Sequence, residues 1–375
     1  MFMQTLYGIG APGWKDLIST EPDRIPERVW ELGAPVCRIR KAQNFRMMGA
    51  VINSIGVYCP ERVIYNSYFE KYLDTSDSWI RERTGIEKRH FSAENEYTSD
   101  LCIKAGRNLQ ERYGKNLEDV DFIIVATMTP DHTVPNTASR VQAGLGIRNA
   151  GAVDISTACS GFCYGLVMAK GLISAGTHRK ILVFGADTMS KVVDFSDRNT
   201  CILFGDGAGA VLVESSEDNG LFEPVSGTDG DMGKEIYVTG SRAEINGAAV
   251  TADGKFHQNG RAVYKWALGT LTRELPHVVR ASGLEMSDIS CFLPHSANYR
   301  MLEAAAGVLG IPLEKCAESV RKYANTSAAT IPLAWNEAVM SGMAKKDDIL
   351  ALLGFGGGLT YAGLCVRNDI CRPQA

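Results

Sequence analysis

The chain lacks paired cysteines. Its 10 cysteines stand at positions 37, 59, 102, 159, 163, 201, 291, 316, 365 and 371, with no CxxC and no zinc-ligand spacing. That argues against a structural zinc module and a disulfide scaffold, and so many unpaired thiols suit a reducing, cytoplasmic setting. A basic surplus is missing too. The 39 Lys and Arg against 43 Asp and Glu leave a net charge of -4, which argues against a nucleic acid or an anionic membrane as partner. The N-terminus MFMQTLYGIGAPGW has neither the basic start nor the long apolar run of a signal peptide. No stretch fits GxxxxGK[ST] or HExxH, and GDGAGA lacks the strand–turn–helix setting and downstream acid of a dinucleotide site. No cofactor and no metal is expected. Residues 349–366 carry no charge, but their GFGGG centre makes a poor membrane helix and reads better as a turn between two buried strands.

What remains is an ordinary globular balance, with 45% apolar and 22% charged residues over 375 positions. Residues 1–46 stand apart, with Pro12, Trp14, Pro22, Pro26, Pro35 and the basic cluster CRIRKAQNFR. They read as an N-terminal extension, and Met47 or Met48 is an alternative natural start. Beyond them, short apolar runs such as FIIVATM (122–128), KILVFGA (180–186) and ILALLGF (349–355) alternate with helical patterns such as GFCYGLVMAKGLISAG (161–176). This alternation predicts an α/β architecture.

A weak internal repeat runs through it. NLEDVDFIIVATMTPD (116–131) resembles LEMSDISCFLPHSAN (284–298), with Phe122 opposite Cys291 at an offset of 169. KILVFGAD resembles DILALLGF, with Ile181 opposite Ile349 at an offset of 168, and GAGAVLVE resembles YAGLCVRN. A nearly constant offset predicts two βα halves, 47–215 and 216–375, related by a pseudo-twofold axis.

Three residues invite chemistry. In GAVDISTACSGFCYGL, an apolar run leads through a small-residue turn into a helix, which places Cys159 at a helix N-terminus. There the helix dipole favours a thiolate. On its own, a packing cysteine fits equally well. Of the 6 histidines, His295 ends the strand-like ISCFL in PHSAN, at a strand's carboxyl end where α/β proteins place functional groups. Asn325, in KYANTSAATIPLA, lies in a turn before a helix, where a capping role is the ordinary reading.

Together TACSG, PHSAN and NTSAAT resemble, in order and spacing, the motifs of the beta-ketoacyl-acyl carrier protein synthase III family. TSDSWIRERTGIEKRH (75–90), DFSDRNTCILFGDGAGA (194–210) and GFGGGLTYAG (354–363) extend the resemblance over residues 48–368. It implies a duplicated thiolase-like fold, layered α-β-α-β-α, and an acyltransferase that starts fatty-acid synthesis. Cys159 takes an acyl group from acyl-coenzyme A, and His295 and Asn325 support the enolate formed as malonyl-acyl carrier protein loses carbon dioxide. The resemblance also implies an oxyanion hole from the N–H groups of Cys159 and Gly357. It assigns coenzyme A contacts to Trp79, Arg83, Arg198 and Asn298, and an acyl pocket to Val134, Phe204 and Phe355. Carrier-protein contacts fall on Lys265 and Arg300, and a homodimer is expected.

Two departures stand out. Serine follows His295 where glutamine is common in some members. Val134 replaces a phenylalanine that in some relatives reaches the partner subunit's acyl cavity, which predicts a roomier pocket for branched or longer primers. The alternatives are a cysteine–histidine–asparagine enzyme of secondary metabolism, of polyketide or quinolone type, an inactive acyl-binding scaffold, and a cysteine hydrolase.

Overall fold

The computed structural model describes residues 48–373, so the extension expected over 1–46 lies outside the described residues. Two mixed sheets organise it. The first holds β1 (Gly49–Tyr58), β2 (Phe122–Ala126), β3 (Gly151–Ile155), β4 (Lys180–Thr188) and β5 (Asp206–Ser216) in the order β1-β5-β4-β2-β3. The second holds β6 (Val225–Thr228), β7 (Cys291–Pro294), β8 (Ile349–Gly356) and β9 (Thr360–Arg367) in the order β7-β8-β9-β6. Strands β2, β3 and β4 run parallel, as do β7 and β8, while β5 and β9 run antiparallel to their neighbours. The uncharged stretch 349–366 is the β8–β9 hairpin, as expected, with Gly356 opposite Thr360.

Alternating side chains bury both faces of the central strands, which is why these runs are apolar without a polar face. Ile181 and Val183 face a central cluster, whereas Leu182 and Phe184 face an outer one. Two helices fill the central layer between the sheets: α1 (Gly161–Ser174) and α2 (Thr330–Ser341). Helix Thr98–Tyr113 covers the outside of the first sheet, and Gly260–Ala281 with Tyr299–Leu309 covers the outside of the second. The layering is α-β-α-β-α.

The predicted repeat is visible in the strand pairing. Phe122 pairs with Ile181 on β4, and Cys291 pairs with Leu350 on β8, so both members of the pair are displaced by 169 residues. Helices α1 and α2 begin at the same displacement, at Gly161 and Thr330. Ile181 therefore corresponds to Leu350, not to Ile349. The reason is facial: Ile181 and Leu350 both point into the central cluster, while Ile349 packs on the outer one, and a one-residue slip exchanges the faces of a strand.

Trp335, on α2, is among the largest fully buried side chains, and its Nε1 donates to Asn368 Oδ1 at 3.1 Å. Trp335→Ala is expected to cost about 3–5 kcal/mol through the cavity it leaves between the sheets. Urea unfolding monitored by circular dichroism checks this.

Candidate active site

Cys159 sits in the tight turn Ala158–Ser160, which joins β3 to α1. Ala158 adopts φ 47, a left-handed conformation that sharpens the turn and presents the next side chain. Strand β8 of the other half presses against it. A Cβ on Gly356 would lie 2.8 Å from Cys159 N and 3.0 Å from Cys159 Cβ, and one on Gly354 would lie 2.9 Å from Ser160 Cα. At the neighbouring Gly357 a Cβ would meet Ile236 Cγ2 at 3.3 Å and Ala158 Cβ at 3.4 Å, a looser fit than at Gly356.

His295 follows β7, and its N–H donates to Leu353 O of β8 at 2.8 Å. The imidazole is 2% exposed. Its Nδ1 lies 2.6 Å from Thr330 Oγ1, so Nε2 is the nitrogen left for a ligand. Phe355 packs edge-on at 5.0 Å. Burial drives the imidazole pKa down to about 3, so it is neutral at working pH. Asn325 is held by two sets of bonds. Its Oδ1 accepts from Ser327 N at 2.8 Å, which turns the Nδ2 donor outward. Its backbone clamps onto the first half, with Asn325 N donating to Leu203 O at 2.9 Å and Gly205 N donating to Asn325 O at 3.1 Å. The turn role and the site role coexist in one residue.

All three side chains line one cavity of about 510 Å³, together with Gly357, Phe204 and Phe355. Trp79, Arg83 and Asn298 also line it. Trp79 and Arg83 lie on helix Asp77–Thr84, capped by Ser76. The Arg83 and Arg198 guanidinium groups lie 6.0 and 5.2 Å from the Trp79 ring. Arg198 does not line the cavity, and its Nη1 donates to Asp74 O at 2.5 Å. Asn298 caps helix Tyr299–Leu309 and donates from Nδ2 to Arg83 O at 3.2 Å. Arg300 is tied to Glu82 O at 2.9 Å and to Glu303 at 2.7 Å. Lys265 is exposed on helix Gly260–Ala281. Val134 lies outside this cavity and is 85% exposed.

The electrostatics of Cys159 depart from the thiolate expected of a helix tip. Burial dominates and pushes the thiol up to about 12, a hydrogen bond to Ser327 draws it down, and the charge of Asp187 raises it further. Ser327 and Thr330, both inside the NTSAAT motif, and Asp187, at the end of KILVFGAD, escaped the sequence reading. Small hydroxyls and a strand-end carboxylate give no sign of their partners until the halves are folded together. Among the described residues, no cluster of His, Cys, Asp or Glu fits a metal ion.

Two outcomes follow from this geometry. Gly356→Ala is expected to displace Cys159 and slow its alkylation by iodoacetamide on the order of 10²-fold, with 1–3 kcal/mol lost in stability. His295 stays neutral in the fold to about pH 3, whereas in the unfolded chain it protonates near 6.5. Its contribution is complete above pH 6.5 and is lost as pH falls toward 3. The urea midpoint of the native protein should therefore drop more steeply between pH 6.5 and 4.5 than that of His295→Gln, and parallel curves contradict it.

Comparison with known proteins places the arrangement. The chain matches the family described as 3-Oxoacyl-[acyl-carrier-protein (ACP)] synthase III over residues 153–230, and that family's C-terminal part over residues 279–368. It is 50% identical to beta-ketoacyl-[acyl-carrier-protein] synthase III 2 of Halalkalibacterium halodurans across 85% of this chain and 96% of the relative. The crystal structure of beta-ketoacyl-[acyl carrier protein] synthase III from Thermus thermophilus superposes with a TM-score of 0.82 at 42% identity, covering 85% of this chain and 99% of that one. The priming beta-ketosynthase of the R1128 polyketide pathway gives 0.82 at 29% identity, over 89% and 99%. The doubled fold is thiolase-like, and the chain belongs to the 3-oxoacyl-[acyl-carrier-protein] synthase III family.

Proposed function

We propose that the protein joins an acyl-coenzyme A primer to malonyl-acyl carrier protein, with loss of carbon dioxide, and so initiates fatty-acid synthesis. The observation that carries this reading is the single cavity lined by Cys159, His295 and Asn325, with Trp79 and Arg83 also in its wall. Cys159 accepts the acyl group, which divides one difficult carbon–carbon bond formation into two accessible steps. The N–H groups of Cys159 and Gly357 hold the acyl carbonyl oxygen. Asn325 Nδ2 and His295 Nε2 hold the malonyl thioester oxygen as charge grows on it. For His295 to donate there, its hydrogen lies on Nε2, and the Thr330 hydroxyl, which donates to Ser327 O at 3.0 Å in this structure, turns its hydrogen to Nδ1 instead. A neutral, buried imidazole suits this task, because it stabilises a developing oxyanion without first giving up a proton.

The adenine end of coenzyme A suits Trp79, with Arg83 and Arg198 supplying charge to its phosphates. Asn298 meets the pantetheine arm, and Lys265 and Arg300 form the basic approach for an acidic carrier protein. A homodimer fits the outer edge of β3, which pairs with no further strand among the described residues, and the exposure of Val134. The nine free cysteines among the described residues suit the reducing cytoplasm, and among those residues no helix is long and apolar enough to cross a membrane. A polyketide-priming enzyme shares this architecture. The 50% identity to a relative named as a carrier-protein synthase III favours the fatty-acid reading.

Mass spectrometry of products from a panel of acyl-coenzyme A primers with malonyl-acyl carrier protein tests both activity and range. The expected products are 3-oxoacyl thioesters from branched as well as straight primers. Strict acetyl preference contradicts the roomier pocket, and free acid in place of 3-oxoacyl product contradicts condensation. His295→Ala and Asn325→Ala should each lower kcat for condensation on the order of 10²–10³-fold, as expected for lost oxyanion donors.

A further inference from the structure

The reaction asks Cys159 to give up a proton, yet the fold holds its thiol protonated, with burial pushing the pKa up to about 12. His295 lines the same cavity, but its burial opposes the charged form that taking this proton would create. On another side of the sulfur lies a polar pair that the condensation chemistry does not use. Cys159 Sγ is 3.4 Å from Ser327 Oγ, with the thiol donating. Beside Ser327 stands Asp187, a carboxylate at 0% exposure near the end of β4, and Ser327 draws its pKa down against the effect of burial.

The surroundings of Asp187 are built. Its Oδ1 accepts four hydrogen bonds, from Thr127 Oγ1 at 2.9 Å, Met128 N at 2.8 Å, Thr129 N at 3.1 Å and Thr129 Oγ1 at 2.9 Å. Its Oδ2 meets the Ala328 N–H at 3.3 Å, beside Ser327. Burial raises the carboxyl above its ordinary range, against the pull of Ser327 and the other donors. Ser327 itself adopts φ 53, a left-handed conformation unusual for a residue with a Cβ. Cys102 also lies close to Asp187, and burial with the nearby carboxylates pushes its thiol well up.

We infer that Ser327 and Asp187 form a proton store for Cys159, in which the serine hydroxyl relays the thiol proton to the buried carboxylate and back. In the first step Sγ bonds to the primer's carbonyl carbon, the bond from that carbon to the coenzyme A sulfur breaks, and coenzyme A leaves as a thiolate that takes a proton from water. The Sγ proton passes to Ser327 Oγ as the serine's own proton passes to Asp187. In the second step the enolate carbon attacks the acyl carbonyl, the Cys159 sulfur leaves, and the stored proton returns by the same route. Carbon dioxide leaves neutral, and the negative charge of the malonyl carboxylate ends as the hydroxide formed when coenzyme A takes its proton from water. Ser327 touches the reacting sulfur. Asp187 acts through it.

This relay rests on the reading of Cys159 as the acyl acceptor, and one experiment separates the two. Single-turnover acylation of Cys159 by acyl-coenzyme A is followed by mass spectrometry from pH 6 to 10, beside decarboxylation of malonyl-acyl carrier protein by the same proteins. The variants are Ser327→Gly, in which glycine accepts the positive φ while the hydroxyl is lost, and Asp187→Asn. Acylation at pH 7 is expected to fall on the order of 10²–10³-fold in both and to climb toward the native rate as pH rises, with acylation losing about tenfold or more beyond any loss in decarboxylation. Native acylation rates and an unshifted pH profile in Ser327→Gly overturn the relay, as do acylation and decarboxylation falling together. Absence of acyl-Cys159 in the native protein overturns the functional reading itself, and the relay with it.

Discussion

The site depends on one close approach. Strand β8 runs so near the turn carrying Cys159 that a single methyl group on Gly356 would collide with the cysteine backbone. That contact brings the second sheet to the N-terminus of α1. It sets His295, hung on β8 through its own N–H, across one cavity from the sulfur. Asn325 is secured by the reverse clamp, with backbone bonds to Leu203 and Gly205 of the first half. Neither half holds a complete site: β8 of the second packs against the turn carrying Cys159, and backbone of the first holds Asn325.

Burial follows from that approach and sets the chemistry. A thiol and an imidazole enclosed between two sheets lose water, and desolvation disfavours the charged form of each. The neutral imidazole suits hydrogen bonding to a forming enolate. The neutral thiol creates a demand for a proton acceptor, which the Ser327–Asp187 pair meets. A helix tip favours a sulfur anion, but here enclosure outweighs it.

Much of this was legible in the sequence. Apolar runs at 122–128, 180–186 and 349–355 marked central strands because residues buried on both faces have no polar alternation to lose. Cys159 and His295 were legible as the ends of such runs, and the motif resemblance brought in Asn325. The register of the repeat was read one residue out at Ile349, because neighbouring apolar residues look alike until the side each faces is known. Gly356, Thr330, Ser327 and Asp187 carry their roles through contacts between halves far apart in the chain. A glycine, two hydroxyl residues and an aspartate look ordinary in one dimension.

The most direct test of the central claim is a crystal structure of the enzyme reacted with an acyl-coenzyme A. The account predicts an acyl group on Cys159 Sγ, with its carbonyl oxygen between the N–H groups of Cys159 and Gly357, and coenzyme A extending past Asn298 to Trp79. Density for the acyl group elsewhere, with Cys159 unmodified and the cavity between the two halves empty, would contradict it.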